Sequence, residues 1–136
     1  MAHLLSDSER TFFEKLKCGG DKGFELRNWA DTFRCKPVYT LAPETECEII
    51  ELVHIAARHG LTLKPVGAGY SPSDVACTDS IMLKMDKMNR ILAHDAYACT
   101  LTVEAGVRLH QLNAMLEQRG MALSSLGSIS DQSIAG

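Results

Sequence analysis

The sequence predicts an α+β fold, a small mixed sheet flanked by helices. Two segments, "PETECEIIELVHIAARHG" and "VRLHQLNAMLEQRG", repeat apolar residues at helical spacing and close on a glycine. Three others, "LTLKPV", "SIMLKM" and "TLTVEAG", are short aliphatic or β-branched runs bounded by turn formers, as strands are.

Taken in order, "SDSERTFFEKLK" offers Ser6 or Ser8 as an N-cap and then places Phe12, Phe13 and Leu16 on one face, which predicts a short helix. "CGGDKGFELRNWADTFRCKP" follows, with a short strand expected near Trp29, and "PVYTLAP" resembles another, with Val38 and Thr40 alternating. Pro43 opens the first long helix. Glu44, Glu46 and Glu48 lie at its start, where the helix dipole favours negative charge. Ile49, Leu52, Val53 and Ala56 form its apolar stripe, Arg58 and His59 its last turn, and Gly60 a left-handed cap. "LTLKPV" leads out as a strand. "SIMLKM" is expected to end around "DKMNRI", and "TLTVEAG" begins at Thr100. After Gly106 the second long helix carries Leu109, Leu112 and Leu116 on one stripe, with Met115 beside it, and closes on Arg119 and Gly120.

Bulk properties narrow the function. The 136 residues are 46% hydrophobic and 23% charged, ordinary for a globular domain with a modest core. A net charge of −3 and the lack of any cationic block argue against a nucleic-acid surface. No apolar run approaches the ~20 residues of a membrane-spanning helix, and the N-terminus reads as neither a secretory signal nor a transit peptide. Cys18, Cys35, Cys47, Cys77 and Cys99 are odd in number and contain no C-x-x-C pair, so buried or half-buried thiols in an intracellular, reducing compartment are expected. The five histidines do not cluster, and no metal site is proposed.

The chemistry concentrates in "LKPVGAGYSPSD". A strand runs into Val66, Gly67, Ala68, Gly69, Tyr70, Ser71, Pro72 and Ser73. There is no third glycine for G-x-G-x-x-G, no following helix, and no G-K-[ST]. Two readings stay open: a tight turn whose glycines satisfy sterics alone, or a nest of backbone N–H groups that cradles an anion. The same pattern recurs. "RHGLTLKPVGAGYS" can be laid on "QRGMALSSLGSISD", matching Gly60 with Gly120, Leu63 with Leu123 and Gly67 with Gly127. Each copy reads as helix, glycine cap, extended run and glycine loop. The repeat therefore expects two glycine loops at strand ends, where an open α/β sheet places its ligand.

"PVGAGYSPSD", "TVEAGVRLHQLN" and "LGSISDQSIAG" together resemble the flavin-binding domain of the sugar-1,4-lactone oxidases, relatives of vanillyl-alcohol oxidase, with the fungal D-arabinono-1,4-lactone oxidases nearest in wording. The likeness runs from about "NWADTFRCKP" to the last residue. It implies a vanillyl-alcohol-oxidase-type (PCMH-type) FAD-binding domain over residues 24–136, incomplete at its C-terminal end, preceded by a helix and linker over 1–23. It also implies an FAD diphosphate on the loop of residues 66–73, with Leu126, Gly127, Ser128, Ser130, Ser133, Ala135 and Gly136 near the diphosphate and flavin. Enzymes of this kind oxidise an aldonolactone at carbon 2 with oxygen, giving hydrogen peroxide and an ascorbate-type product. Position 70 is commonly a histidine bonded to the flavin 8α-methyl; Tyr70 stands here, so FAD is expected to be noncovalent, with the phenol along the dimethylbenzene edge. The alternative for Tyr70 is a packed aromatic with no ligand. The groups that position a lactone are expected beyond Gly136, so no residue is named catalytic and the chain is expected to be inactive by itself. Mitochondrial association follows from the resemblance alone. The alternative reading is a non-catalytic nucleotide-binding or self-associating subdomain, because an unfinished domain exposes apolar surface and strand edges.

Overall fold

The computed structural model describes residues 4–19 and 23–135. Helix α1 (Asp7–Leu16) starts at Ser6, whose hydroxyl accepts from the Glu9 N–H while the Glu9 carboxylate accepts from the Ser6 N–H. This reciprocal cap satisfies donors that the first turn leaves without partners. Phe13 and Leu16 are buried. Beyond the helix the chain turns extended beside strand β3 (Tyr39–Leu41), the Cys18 N–H donating to the Thr40 carbonyl at 2.9 Å and the Ala42 N–H to the Leu16 carbonyl at 2.8 Å. One edge of β3 is thereby covered.

The strand expected near Trp29 is a hairpin. β1 (Leu26–Arg27) and β2 (Arg34–Cys35) pair antiparallel, and Trp29 lies in the turn between them, 63% exposed. Asn28 fixes that turn by accepting from the Thr32 and Phe33 N–H groups.

Helix α2 (Glu46–His59) begins three residues after Pro43, because the Thr45 hydroxyl supplies the cap, accepting from the Glu48 N–H at 3.2 Å. Its buried face is Leu52, Ile55 and Ala56; Val53, expected in the stripe, is 47% exposed. Counting apolar residues at helical spacing misplaced the face by part of a turn. Gly60 closes the helix at φ 60°, and the Leu61 N–H returns to the Ala56 carbonyl.

The sheet is small but not mixed within itself. β3, β5 (Ile81–Lys84) and β4 (Leu63–Val66) lie in that order and are all parallel. Antiparallel pairing is confined to β1–β2 and to a second hairpin, β6 (Ile91–Asp95) with β7 (Thr100–Val103). β6 carries no sequence signal because all five of its residues are exposed, so burial imposes no alternation. Leu5, Phe13, Leu16, Leu41, Leu52, Ile55 and Ile81 form one core, so α1 packs into the same interior as α2 and the parallel sheet.

Helix α3 (Leu109–Glu117) buries Leu109, Leu112 and Leu116 with Val107, against Leu101 and Val103 of β7. The repeat holds at its cap: Gly120 adopts φ 66°, and the Met121 N–H returns to the Leu116 carbonyl as Leu61 does to Ala56. It fails afterwards. Residues 121–126 form no strand, whereas β4 pairs with β5.

Candidate functional site

β4 delivers the chain to the carboxyl end of the parallel sheet, the side where open α/β sheets bind ligands. There residues 67–71 leave the sheet. Gly69 takes φ 77°, a left-handed conformation that any side chain would strain. The neighbouring hairpin holds this loop by its carbonyls: the Trp29 N–H donates to the Gly69 oxygen at 3.4 Å, and the Asn28 side-chain amide to the Ser71 oxygen at 3.3 Å. The N–H groups of residues 67–71, by contrast, donate to no acceptor among the described residues. Anchoring a loop by its oxygens leaves its donors for something else. That arrangement favours the anion cradle over the plain turn.

The loop borders two hollows. One, about 330 Å³, is walled by Gly67, Gly69, Tyr70, Ser71 and Pro72, together with Pro65, Val66, Val75, Ala76, Gln132 and Ala135. The other, about 170 Å³, touches Val66, Gly67, Ala68 and Gly69 from the opposite side and brings Arg27, Lys84 and Arg108 around a single carboxylate, Asp86. Asp86 pairs with Arg108 and, at 3.4 Å, with Lys84, so one acid serves two cations. Arg27 is paired with Glu25 at 2.8 Å, so three cations meet two carboxylates and the remaining excess is a small positive one, which suits an anionic ligand beside the glycines. Ser73 lies outside both linings; its hydroxyl is 3.1 Å from that of Ser71.

The second glycine loop reaches the first hollow but contributes differently from expectation. It is stitched to residues 105–110: the Leu109 N–H donates to the Gln132 carbonyl at 2.9 Å, the Ile134 N–H to Val107 at 3.0 Å and the Ala135 N–H to Ala105 at 2.6 Å. The amides of Ile134 and Ala135 are therefore consumed by the chain's own carbonyls, as is that of Gln132 by Ile129, whereas the N–H groups of residues 126–131 donate to no acceptor among the described residues. At Gly127 a Cβ would meet the end of the Gln132 side chain at 2.7 Å, a flexible group that can turn aside. Leu126, Gly127, Ser128 and Ser130 do not line the hollow, and Leu126 is 57% exposed. Ser133 is 4% exposed, and its hydroxyl has no partner among the described residues, an orphaned polar atom beside the cavity wall. Gly136 lies outside the described residues.

A larger hollow, about 620 Å³, lies elsewhere, between β7, α3 and residues 120–124. Leu101, Val103, Leu112, Leu116, Met121 and Leu123 make it apolar, and no cation lines it, whereas Arg27, Lys84 and Arg108 border the smaller hollow at the glycine loop. Volume alone does not make it the site. Among the described residues no three His, Cys, Asp or Glu side chains group as metal ligands. Among the described residues the carboxylates pulled below their ordinary range are Glu9, by the Ser6 N–H and Arg58, Glu25, by Arg27, Asp31, by Arg34, Glu48, by the Glu44 N–H and Lys15, and Glu104, by Arg90.

An FAD binding domain sequence family matches residues 37–136, which include both glycine loops. The chain belongs to this family of FAD-binding domains. Among relatives of this FAD-binding domain are the L-gulonolactone oxidase of Mus musculus, 43% identical over 117 residues (86% of this chain, 27% of the relative), and the D-arabinono-1,4-lactone oxidase of Candida glabrata, 38% identical over 122 residues (87% and 23%). The chain thus spans about a quarter of the length of these relatives. Its fold is that of a cholesterol oxidase from Brevibacterium sterolicum, with a TM-score of 0.74 at 19% identity over 83% of this chain and 23% of that one. An alkyldihydroxyacetonephosphate synthase shares the fold at TM-score 0.65 and 20% identity, over 73% of this chain and 21% of the other. The α+β architecture is accordingly the vanillyl-alcohol-oxidase-type, PCMH-type FAD-binding fold.

The residues of this FAD-binding domain fit such a cofactor. Unclaimed N–H groups suit a diphosphate, Ser133 holds a hydroxyl in need of a partner, and Val75, Ala76 and Ala135 give an apolar wall. Sequence reasoning missed Val75, Ala76 and Gln132 in the wall and Asn28 and Trp29 behind it. Asn28 lies more than forty residues from the loop it supports, and no local pattern marks such a pairing.

Proposed function

We propose that this domain is the FAD-binding portion of an aldonolactone oxidase that acts with oxygen on D-arabinono-1,4-lactone or a close sugar-1,4-lactone, releasing hydrogen peroxide and an ascorbate-type product. The observation that carries the reading is the 36–43% identity to L-gulonolactone and D-arabinono-1,4-lactone oxidases over most of the chain. The two kinds of relative overlap in identity, so the choice of D-arabinono-1,4-lactone rests on the likeness of the motifs to the fungal enzymes.

In this reading the N–H groups of residues 67–71 and the hydroxyls of Ser71 and Ser73 hold the diphosphate. Tyr70 lies along the dimethylbenzene edge, and Ser133 gives its free hydroxyl to the cofactor. Leu126, Gly127, Ser128, Ser130, Ala135 and Gly136 form the neighbouring border. FAD when bound supplies a two-electron acceptor for the lactone. The chain's own part is to bind and orient it, because no acid or base placed to act on a lactone stands in the cavity. A phenol lacks the imidazole nitrogen that bonds the 8α-methyl in relatives of this type, so attachment is noncovalent.

Titration of the chain with FAD should give saturable quenching of flavin fluorescence; flat fluorescence would refute the preformed cradle. After acid precipitation of the complex the yellow colour should stay in the supernatant, and a coloured pellet would refute noncovalent binding. Extended to the length of its relatives, the protein should release peroxide on addition of D-arabinono-1,4-lactone. Release from L-gulono-1,4-lactone alone would move the substrate to the other kind of relative.

A further inference from the structure

The segment that walls the cofactor hollow with Gln132 and Ala135, and buries Ser133 beside it, lies in no helix or strand. Among the described residues, the hydrogen bonds that residues 126–135 make outside their own stretch all run to residues 105–110. Most are backbone bonds, and His110 adds exposed side-chain contacts to Ser130 and Asp131. Arg108 is different. Its backbone bridges to Ser133, while its half-buried guanidinium donates through Nη1 to the Asp131 carbonyl at 3.0 Å and through Nη2 to the Asp86 carboxylate. Asp86 follows the carboxyl end of β5 and also meets Lys84 at 3.4 Å, so it is anchored on the sheet side. One planar group thus joins the end of the sheet to the peptide that begins the cavity wall.

We propose that Arg108 is a positioning residue for the cofactor: by holding the Asp131 carbonyl against Asp86 it fixes the 131–132 peptide, and with it the places of Gln132, Ser133 and Ala135 around the bound ligand. The ligand's identity rests on the FAD reading above; the grip on the segment does not. A guanidinium carries its donors in a rigid plane and serves a carboxylate and a carbonyl in fixed directions at once. A lysine ammonium is a point charge on a flexible stem. Arg108 also borders the smaller hollow, where a bare charge would attract an anion equally well. The lysine variant separates the two roles, because it keeps the charge and loses the fork.

The experiment compares the wild-type chain with Arg108→Lys. Without ligand, hydrogen exchange at the Gln132, Ile134 and Ala135 amides should speed up severalfold in the variant, with the amides of α2 at wild-type rates. Unchanged exchange at those three, or equal acceleration throughout α2, would overturn the grip. In flavin-fluorescence titration the variant should bind FAD about tenfold more weakly, and wild-type affinity would assign Arg108 the role of a charge and overturn its positioning role. At saturating FAD the visible circular dichroism of the variant complex should differ from that of the wild type, since the wall then stands differently against the flavin. Identical spectra would leave Arg108 a contributor to stability and overturn the proposal. Absence of quenching in the wild-type chain would refute the FAD reading, and exchange at the three amides would decide the grip by itself.

Discussion

Two glycines do different jobs in this domain. Gly69 is needed for its backbone angle: at φ 77° a Cβ meets nothing within 4 Å, but the left-handed conformation itself is unfavourable for other residues. Gly69→Ala should cost about 1–2 kcal/mol in stability and weaken FAD binding, read by chemical denaturation and fluorescence titration. Gly106 is needed for space. A Cβ there would sit on the Met85 carbonyl and 2.8 Å from the Met88 carbonyl oxygen, both of them backbone that cannot step aside. Gly106→Ala should therefore lower stability by at least about 3 kcal/mol in urea unfolding, more than Gly69→Ala, and a near-neutral result would contradict this packing. Tyr70 poses the chemical question. Tyr70→His supplies an imidazole nitrogen in place of the phenol, and if that nitrogen bonds the flavin, after incubation with FAD and acid precipitation the colour should move to the pellet. Both glycines stand out in the sequence, yet nothing in it tells a glycine kept for its dihedral from one kept for a neighbour's carbonyl.

At the level of elements, α1 is fastened to α2 through one carboxylate. Glu9 caps its own helix through the Ser6 N–H and meets Arg58 at 2.8 Å and His59 at 3.1 Å across the interface. These partners, the Ser6 N–H first and Arg58 next, hold its pKa down from 4.5 to about 2. A depressed carboxylate stabilises the fold above its unfolded pKa, and the contribution disappears as pH falls through the folded value. α1 should therefore loosen as pH drops from about 4.5 toward about 2, seen as a falling thermal midpoint by circular dichroism. Glu9→Gln should flatten that acid limb; an unchanged limb would place the acid sensitivity elsewhere. Element by element, legibility followed the strength of the local signal. α2 and α3 combine caps with periodicity and were readable, while β2 and β6 were not. β2 is two residues long, and β6 is exposed throughout, so neither leaves a pattern.

For the molecule as a whole, stability rests on a core assembled from α1, α2 and the parallel sheet. Leu52 is fully buried at its centre, and Leu52→Ala should cost about 2–5 kcal/mol in equilibrium unfolding. Leu92, Tyr97, Leu126 and Ile134 are exposed instead, and β6 offers a free edge, so the chain should self-associate as concentration rises in sedimentation velocity. A single monomeric boundary at all concentrations would remove that expectation. The sequence alone determined the long helices and the strands that lead into and follow the first glycine loop, because caps, periodicity and glycine are local physics, while it left that loop open between a tight turn and an anion cradle. Only the tertiary structure decided that the sheet is parallel, that residues 67–71 keep their N–H groups unclaimed, and that those of Ile134 and Ala135 are taken. Those outcomes depend on which carbonyl lies opposite which amide, and that is set by segments far apart in the chain packing onto one core.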